Sequence, residues 1–391
     1  FISSTGGRHV SPAAPVTFSA QDPLSDGAAS GVERIEVSMD GGAFTAYSST
    51  LTFAEGRHVV RFRAVDRVGN IETENTLELD SDATAPQSEL SVGAPQAAIS
   101  VTQGTGPEGL VVVSSATKLL VHSTDTVSND VASGVDLIQV RQDSGTFAAQ
   151  TVPFGLLGSD GIKTVFFYAE DRVGNTELEQ ARQLGLDSTA PRTELTAFGG
   201  RQYQDGTGLY ASSSTAYRLN AEDPGANGVA SGVEFSEYAL DSGAFTRFTG
   251  DVFLAEGRRS LAFRSQDRVQ NLEAALSTTV FVDATPPVST ATVGEPLFMG
   301  EGGKKYITAV TPVSLAFQDP LSNGVASGLD KIETNSEDSG FVAYGSTLTF
   351  SEGRHNLAWR GVDRVGNEEA AHSLELFSDA TPPITSLAPS G

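Results

Sequence analysis

Asp66-Arg67-Val68-Gly69-Asn70 returns as Asp171-Arg172-Val173-Gly174-Asn175, as Asp267-Arg268-Val269-Gln270-Asn271 and as Asp363-Arg364-Val365-Gly366-Asn367. The steps between the leading aspartates are 105, 96 and 96 residues, so the pentapeptide marks a tandem array. Sixteen residues beyond each leading aspartate, another opens a proline-ended segment: Asp82 to Pro86, Asp187 to Pro191, Asp283 to Pro287 and Asp379 to Pro383. Proline fixes its own φ and removes a backbone donor, so these segments read as stiff linkers. The chain divides into repeats 1–86, 87–191, 192–287 and 288–383, with 384–391 as the start of a further repeat or a strand exchanged between copies. Phe1 aligns with Phe298, so the first repeat lacks most of its opening strand, and the array reads as a window of a longer one.

Within a repeat, the first informative strand leads to an aspartate, as in Val16 to Asp22 or Val313 to Asp319, with apolar residues at every second position. A loop of Gly and Asx residues follows: Asp22 to Gly31, Asp125 to Gly134, Asp223 to Gly232 and Asp319 to Gly328. The next two strands turn at Asp40-Gly41-Gly42, Asp143-Ser144-Gly145, Asp241-Ser242-Gly243 and Asp338-Ser339-Gly340, where positive φ is wanted. After Glu55-Gly56-Arg57-His58 and its equivalents, the best-marked strand places Val60, Phe62 and Ala64 inward and Arg61, Arg63 and Val65 outward. Trp359 occupies the slot of three phenylalanines and reads as core. Gln270 stands where the other pentapeptides have glycine, so a left-handed backbone there carries strain on the order of 1 kcal/mol. About seven short strands per repeat, turns every eight to twelve residues and no helical period predict an all-β chain: an elongated tandem array of four immunoglobulin-like β-sandwich domains.

The 391 residues carry 49 acidic and 25 basic side chains, a net charge of -24, which makes phosphate-backbone binding a poor role and divalent cations a natural partner. No cysteine is present, which excludes disulfides and thiolate metal sites. No apolar run reaches the roughly twenty residues of a membrane-spanning helix. The five histidines are scattered, and only His58 and His355 are equivalent, so no triad or zinc site emerges and no enzyme is expected.

The Asp-x-x-Gly-Asn turn, the Ser-Gly-Val entry to the third strand, the Glu-Gly-x-His turn and the Asp-x-Thr-x-Pro linker together resemble bacterial immunoglobulin-like repeats of the OmpL47-like type. The resemblance covers all four repeats. It implies an extracellular or bacterial cell-surface location and a structural or adhesive role, as the stalk or filament of a surface or secreted protein.

The carboxylates suggest more. In an immunoglobulin-like sandwich, the loop after the second strand and the loop before the last strand lie at the end where the chain enters. Asp82 is therefore expected beside Asp125, Asn129, Asp130, Asp171 and Asn175. Asp187 should meet Asp223, Asn227, Asp267 and Asn271, and Asp283 should meet Asp319, Asn323, Asp363 and Asn367. Each joint is an oxygen-rich set of the kind calcium takes. The competing reading uses Arg67, Arg172, Arg268 and Arg364 to neutralise the linker carboxylates without metal. Expected partners are neighbouring modules or copies head to tail, a surface glycan or a host protein, but not nucleic acid. The recurrent aromatics Tyr47, Phe248 and Tyr344, with Gln150 at their position in repeat two, read as edge packing.

Overall fold

A computed structural model describes residues 1–3, 6–100, 104–337 and 339–387. By contacts, the chain forms two compact units. The first holds Phe1–Thr189, Asp223–Gly232 and Asp267–Asn271; the second holds Ala190–Glu222, Val233–Gln266 and Leu272–Gly391. No helix among the described residues is long and apolar enough to cross a membrane.

In the first unit, the second repeat is the complete sandwich. Its smaller sheet pairs Gln87–Val92 with Leu119–Thr124, antiparallel. Its larger sheet runs, in spatial order, Ala148–Ala149, Val135–Gln142, Gly161–Asp171, Gln180–Leu186, Val111–Val113 and Gln96–Ala98. The alternation read along the sequence explains the layering. Leu90, Leu119 and Val121 face Val165, Phe167, Leu184 and Leu186 across one core. The first repeat keeps the larger sheet, with Val32–Met39, Gly56–Asp66 and Asn75–Ser81 at its centre. Its segment 16–22 does not form the expected regular strand, and Val16 only bridges Leu51. The equivalent strands Leu119–Thr124, Ala216–Glu222 and Val313–Gln318 each have a ladder partner, and none is seen for segment 16–22 among the described residues.

In the second unit, Arg192–Phe198, Ala216–Glu222 and Val252–Phe253 form the smaller sheet of repeat three, and Val288–Val293 with Val313–Gln318 that of repeat four. Each faces a six-stranded sheet of the order seen in repeat two. Trp359 is 7% exposed and lies in the core with Leu357, Ile332 and Leu376. Val65, expected outward, is buried. A register shift between Val32 and Arg34 turns the strand end, and Val65 bridges Ile71 across the turn.

The edges are closed by side chains. Tyr47 and Tyr344 accept hydrogen bonds at their hydroxyls from the N–H of Phe18 (3.4 Å) and Leu315 (3.2 Å). Gln150 does the same work with its amide, accepting from Val121 N–H at 2.9 Å and donating to Val121 C=O at 3.0 Å. Phe248 packs against the core of repeat three. These positions are edge packing, as expected. Asp40 opens its hairpin turn at φ 48° and Asp241 at φ 52°, but in repeat four the equivalent residue is Glu337, at φ 57°, since it holds His355 as Asp40 holds His58. Asp338 lies outside the described residues.

Gln270 sits at φ 70° where Gly69, Gly174 and Gly366 lie at 90° to 95°. Gly69 has open space around a would-be Cβ, so Gly69→Ala tests backbone strain alone. It is expected to cost about 1 kcal/mol of first-repeat stability in urea unfolding.

Candidate metal centre

Each of the last three repeats gathers three aspartates from separate places in the chain. Oxygens of Asp82, Asp125 and Asp171 lie within 4.8 Å of one another, as do those of Asp187, Asp223 and Asp267 and those of Asp283, Asp319 and Asp363. The first two groups belong to the first unit and the third to the second.

Local structure fixes each member. Asp171 ends the strand Gly161–Asp171, and its Oδ1 accepts the N–H of Val173 and Asn175, both at 2.9 Å. This is the Asx turn that the pentapeptide encodes. Asn175 Nδ2 donates to Asp171 Oδ2 at 2.7 Å and to the Asp82 carbonyl at 2.9 Å, tying the turn to the linker. Asp125 Oδ2 accepts from Gly134 N–H at 2.6 Å, across the loop. Linker Asp82 is fully buried; its Oδ2 accepts from Ser133 N–H at 2.6 Å and its Oδ1 from Thr84 N–H at 3.1 Å. The same bonds recur with Asp187, Ser231, Thr189 and Asn271, and with Asp283, Ser327, Thr285 and Asn367.

One oxygen in each triad has no hydrogen-bond partner although it is buried: Oδ1 of Asp125, of Asp223 and of Asp319. Burial first, and then the charges of neighbouring aspartates, push Asp223 and Asp319 up to about 6. The same causes raise Asp125. Burial raises Asp187, Asp267 and Asp363 as well. Among the described residues no linker aspartate joins Asp22 and Asp66. Burial pushes Asp66 up there too, but hydrogen bonds from Asn70 and Val68 outweigh it and hold the carboxyl below its usual value.

Among the described residues, no ion pair joins Arg67, Arg172, Arg268 or Arg364 to a linker carboxylate. Arg172 donates to the Ser133 carbonyl, Arg268 to the Ala98 carbonyl, and Arg364 lies over the Tyr203 ring. The Asn amides of the pentapeptides, Asn175, Asn271 and Asn367, donate hydrogen and so orient the carboxylates. Asn129, Asp130, Asn227 and Asn323 sit at left-handed loop tips, and Asp130 is not among the clustered carboxylates. Asn227 Nδ2 donates to the Asp160 carbonyl at 2.7 Å and Asn323 Nδ2 to Glu256 at 3.1 Å, so these tips lean on the preceding repeat.

Two further sets of acids matter here. Glu55, Asp160, Glu256 and Glu352 accept the hydroxyl of linker threonines Thr84, Thr189, Thr285 and Thr381. Glu177, Glu273 and Glu369 each join the opening strand to the central strand of the other sheet. Glu177, for example, accepts from Ser88 N–H and Ala169 N–H, both at 3.0 Å. The sequence signal was their recurrence at a fixed offset from the pentapeptide, which turn propensity alone does not interpret.

An all-oxygen, three-carboxylate set with no His or Cys suits a hard divalent cation rather than a transition metal. The buried, unpartnered oxygens fit the same ion, which would take its remaining ligands from water.

The chain is similar to solved fibronectin(III)-like modules of Clostridium thermocellum CbhA, at 12% identity over 50% of this chain and 95% of that chain, TM-score 0.27. It is also similar to the protocadherin gammaB7 EC3-6 cis-dimer structure, at 12% identity over 96% and 99%, TM-score 0.26. A third likeness is to Bacteroides ovatus SGBP-B of a mixed-linkage glucan utilization locus, in complex with a mixed-linkage heptasaccharide, at 10% identity over 95% and 92%, TM-score 0.15. At TM-scores this low the likenesses carry no argument, and the fold stands on strand order and register. No protein-family model and no curated protein matches the chain.

An aspartate whose folded pKa is raised binds protons more tightly folded than unfolded, so its contribution favours folding at low pH and is lost as pH rises from about 4 through about 6. In chelator, repeats two to four are expected to melt higher at about pH 5 than at about pH 7.5. Substituting Asn at Asp125, Asp223 and Asp319 together should flatten that slope in differential scanning calorimetry.

Proposed function

We propose that the chain is a non-catalytic array of immunoglobulin-like modules, a stalk or adhesive segment of a bacterial surface or secreted protein, whose joints bind calcium. The threefold recurrence of a buried aspartate triad at linkers Asp82, Asp187 and Asp283, with no ion pair to a guanidinium among the described residues, carries the reading. Carboxylates so placed repel, and a divalent cation converts that repulsion into a bond between linker and loops. The resemblance of the turn and linker motifs to OmpL47-like repeats supports the surface assignment. Sites with three carboxylates belong to the millimolar affinity range of extracellular calcium modules.

Calcium is expected to raise the melting temperature at neutral pH. Saturation to about a hundredfold over Kd would contribute about 2.7 kcal/mol per site. The variant with Asn at 125, 223 and 319 should melt higher than the native chain in chelator and show no calcium response. A native chain whose melting is indifferent to calcium up to about 10 mM would sink the reading.

A further inference from the structure

The turn that leads into the central strand carries a basic side chain in every repeat, and its chemistry changes along the chain: His58, Lys163, Arg259 and His355. In repeat three, Arg259 donates to the Ala255 carbonyl, the Glu256 carbonyl and Asp241 Oδ2, each at 2.9 Å, and so ties this turn to the first hairpin. In repeat two, Lys163 brings its charge to Asp143, the residue equivalent to Asp241. Arginine and lysine are cations throughout the neutral range.

His58 meets the same two kinds of partner in repeat one. Its Nδ1 lies 2.9 Å from Asp40 Oδ2 and its Nε2 2.8 Å from the Ala54 carbonyl, while Asp40 Oδ1 accepts Val59 N–H at 2.9 Å. His355 repeats the geometry with Glu337 Oε1 at 3.1 Å and the Ser351 carbonyl at 2.7 Å. Carbonyls and carboxylates only accept, and a neutral imidazole has a single N–H, so either tautomer sets one bare nitrogen against an oxygen lone pair. The imidazolium supplies both protons. The hydrogen bond from His58, and then Val59 N–H, hold Asp40 below its usual value, so that partner is ionised. Burial pulls His58 down, but Asp40 and the Ala54 carbonyl outweigh it and raise the group above its ordinary value. The Phe53 ring packs on the imidazole at 5.2 Å. On the neighbouring strand Leu79 stands opposite His58 and Glu78 opposite Val59, and Asp80 is taken by Arg57 at 3.0 Å. Asp130 of the next repeat also acts on Arg57. Asp40 is the carboxylate that meets the ring.

We infer that this slot requires a positive charge and that repeat one fills it with a titratable group, so that loss of the His58 proton loosens the turn at residues 54–58 while Arg259 keeps the equivalent turn of repeat three closed. The same turn holds the linker, since Glu55 accepts the Thr84 hydroxyl as Glu256 accepts that of Thr285. The linker at Asp82 is therefore released in the neutral range, and the linker at Asp283 is not. A histidine whose folded pKa is raised lends stability that is fully present below about 6.5 and is lost as pH rises through the folded value. That window lies above the one in which the triad aspartates titrate, and the inference holds with or without calcium at the joints.

The test is an NMR titration of the imidazole rings in the 391-residue chain, in chelator, with urea unfolding of the first and third repeats, from about pH 5.5 to about pH 8.5. The His58 signal, identified by its loss in His58→Arg or His58→Gln, should titrate above about 6.5. The first-repeat urea midpoint should fall as pH rises through that titration. In His58→Arg it should stay level over the same range, and Arg259→His should give repeat three a falling midpoint that the native chain lacks there. A His58 ring that titrates at or below about 6.5 overturns the inference. So does a first-repeat slope that survives His58→Arg, or an Arg259→His variant whose third-repeat midpoint remains level. Chelator is present throughout, so none of these outcomes bears on calcium binding at the triads.

Discussion

Three carboxylates confined within 4.8 Å of one another repel, and each joint is explained by what holds them there. Backbone N–H groups do most of it. Ser133, Gly134, Val173 and Asn175 donate to the first triad, and the same four positions donate to the others. The donors fix where the oxygens point, and one buried oxygen per triad accepts no hydrogen bond. The linker is thereby bonded to the loops through its aspartate side chain and carbonyl, and to the turn of the repeat it leaves through its threonine hydroxyl, so its direction is set by polar contacts as well as by proline.

The fold was legible because its signals are local and repeated. Alternation located the central strand, Gly and Asx residues located the turns, and Gln270 takes the left-handed backbone its position required. The aspartates of each triad were legible from topology, since the loops that share one end of a sandwich are known once the strands are ordered. Val65 was not, because a register shift between Val32 and Arg34 breaks period-two reasoning at the strand end. Nor was the irregular course of segment 16–22, since a strand needs its neighbour as well as its own pattern.

The side-chain partners were least legible. The sequence offered each pentapeptide arginine as a counter-charge for a linker carboxylate. The long side chain instead reaches a carbonyl or a ring on the preceding repeat, which only three-dimensional proximity discloses. Loop-tip residues such as Asn227 and Asn323 looked like ligands by type, yet a left-handed tip points their amides at the previous repeat's turn. Glu177, Glu273 and Glu369 passed as ordinary polar residues, because joining two sheets is a property of the packed module and of no single strand.

The parallel pairing of short and final strands has a mechanical consequence. Val111–Val113 runs beside Gln180–Leu186 in the same direction, as Leu209–Ser212 does beside Leu276–Asp283 and Lys305–Ile307 beside His372–Ser378. Tension on the two ends of such a module draws these neighbours past each other, so their hydrogen bonds are stressed together in shear instead of parting one by one. Ahead of them the opening strand is fastened to the opposite sheet by a glutamate at the point where force enters, Ser88 to Glu177 in repeat two. Pairing of this kind makes a module's resistance to pulling depend on the whole row of bonds at once.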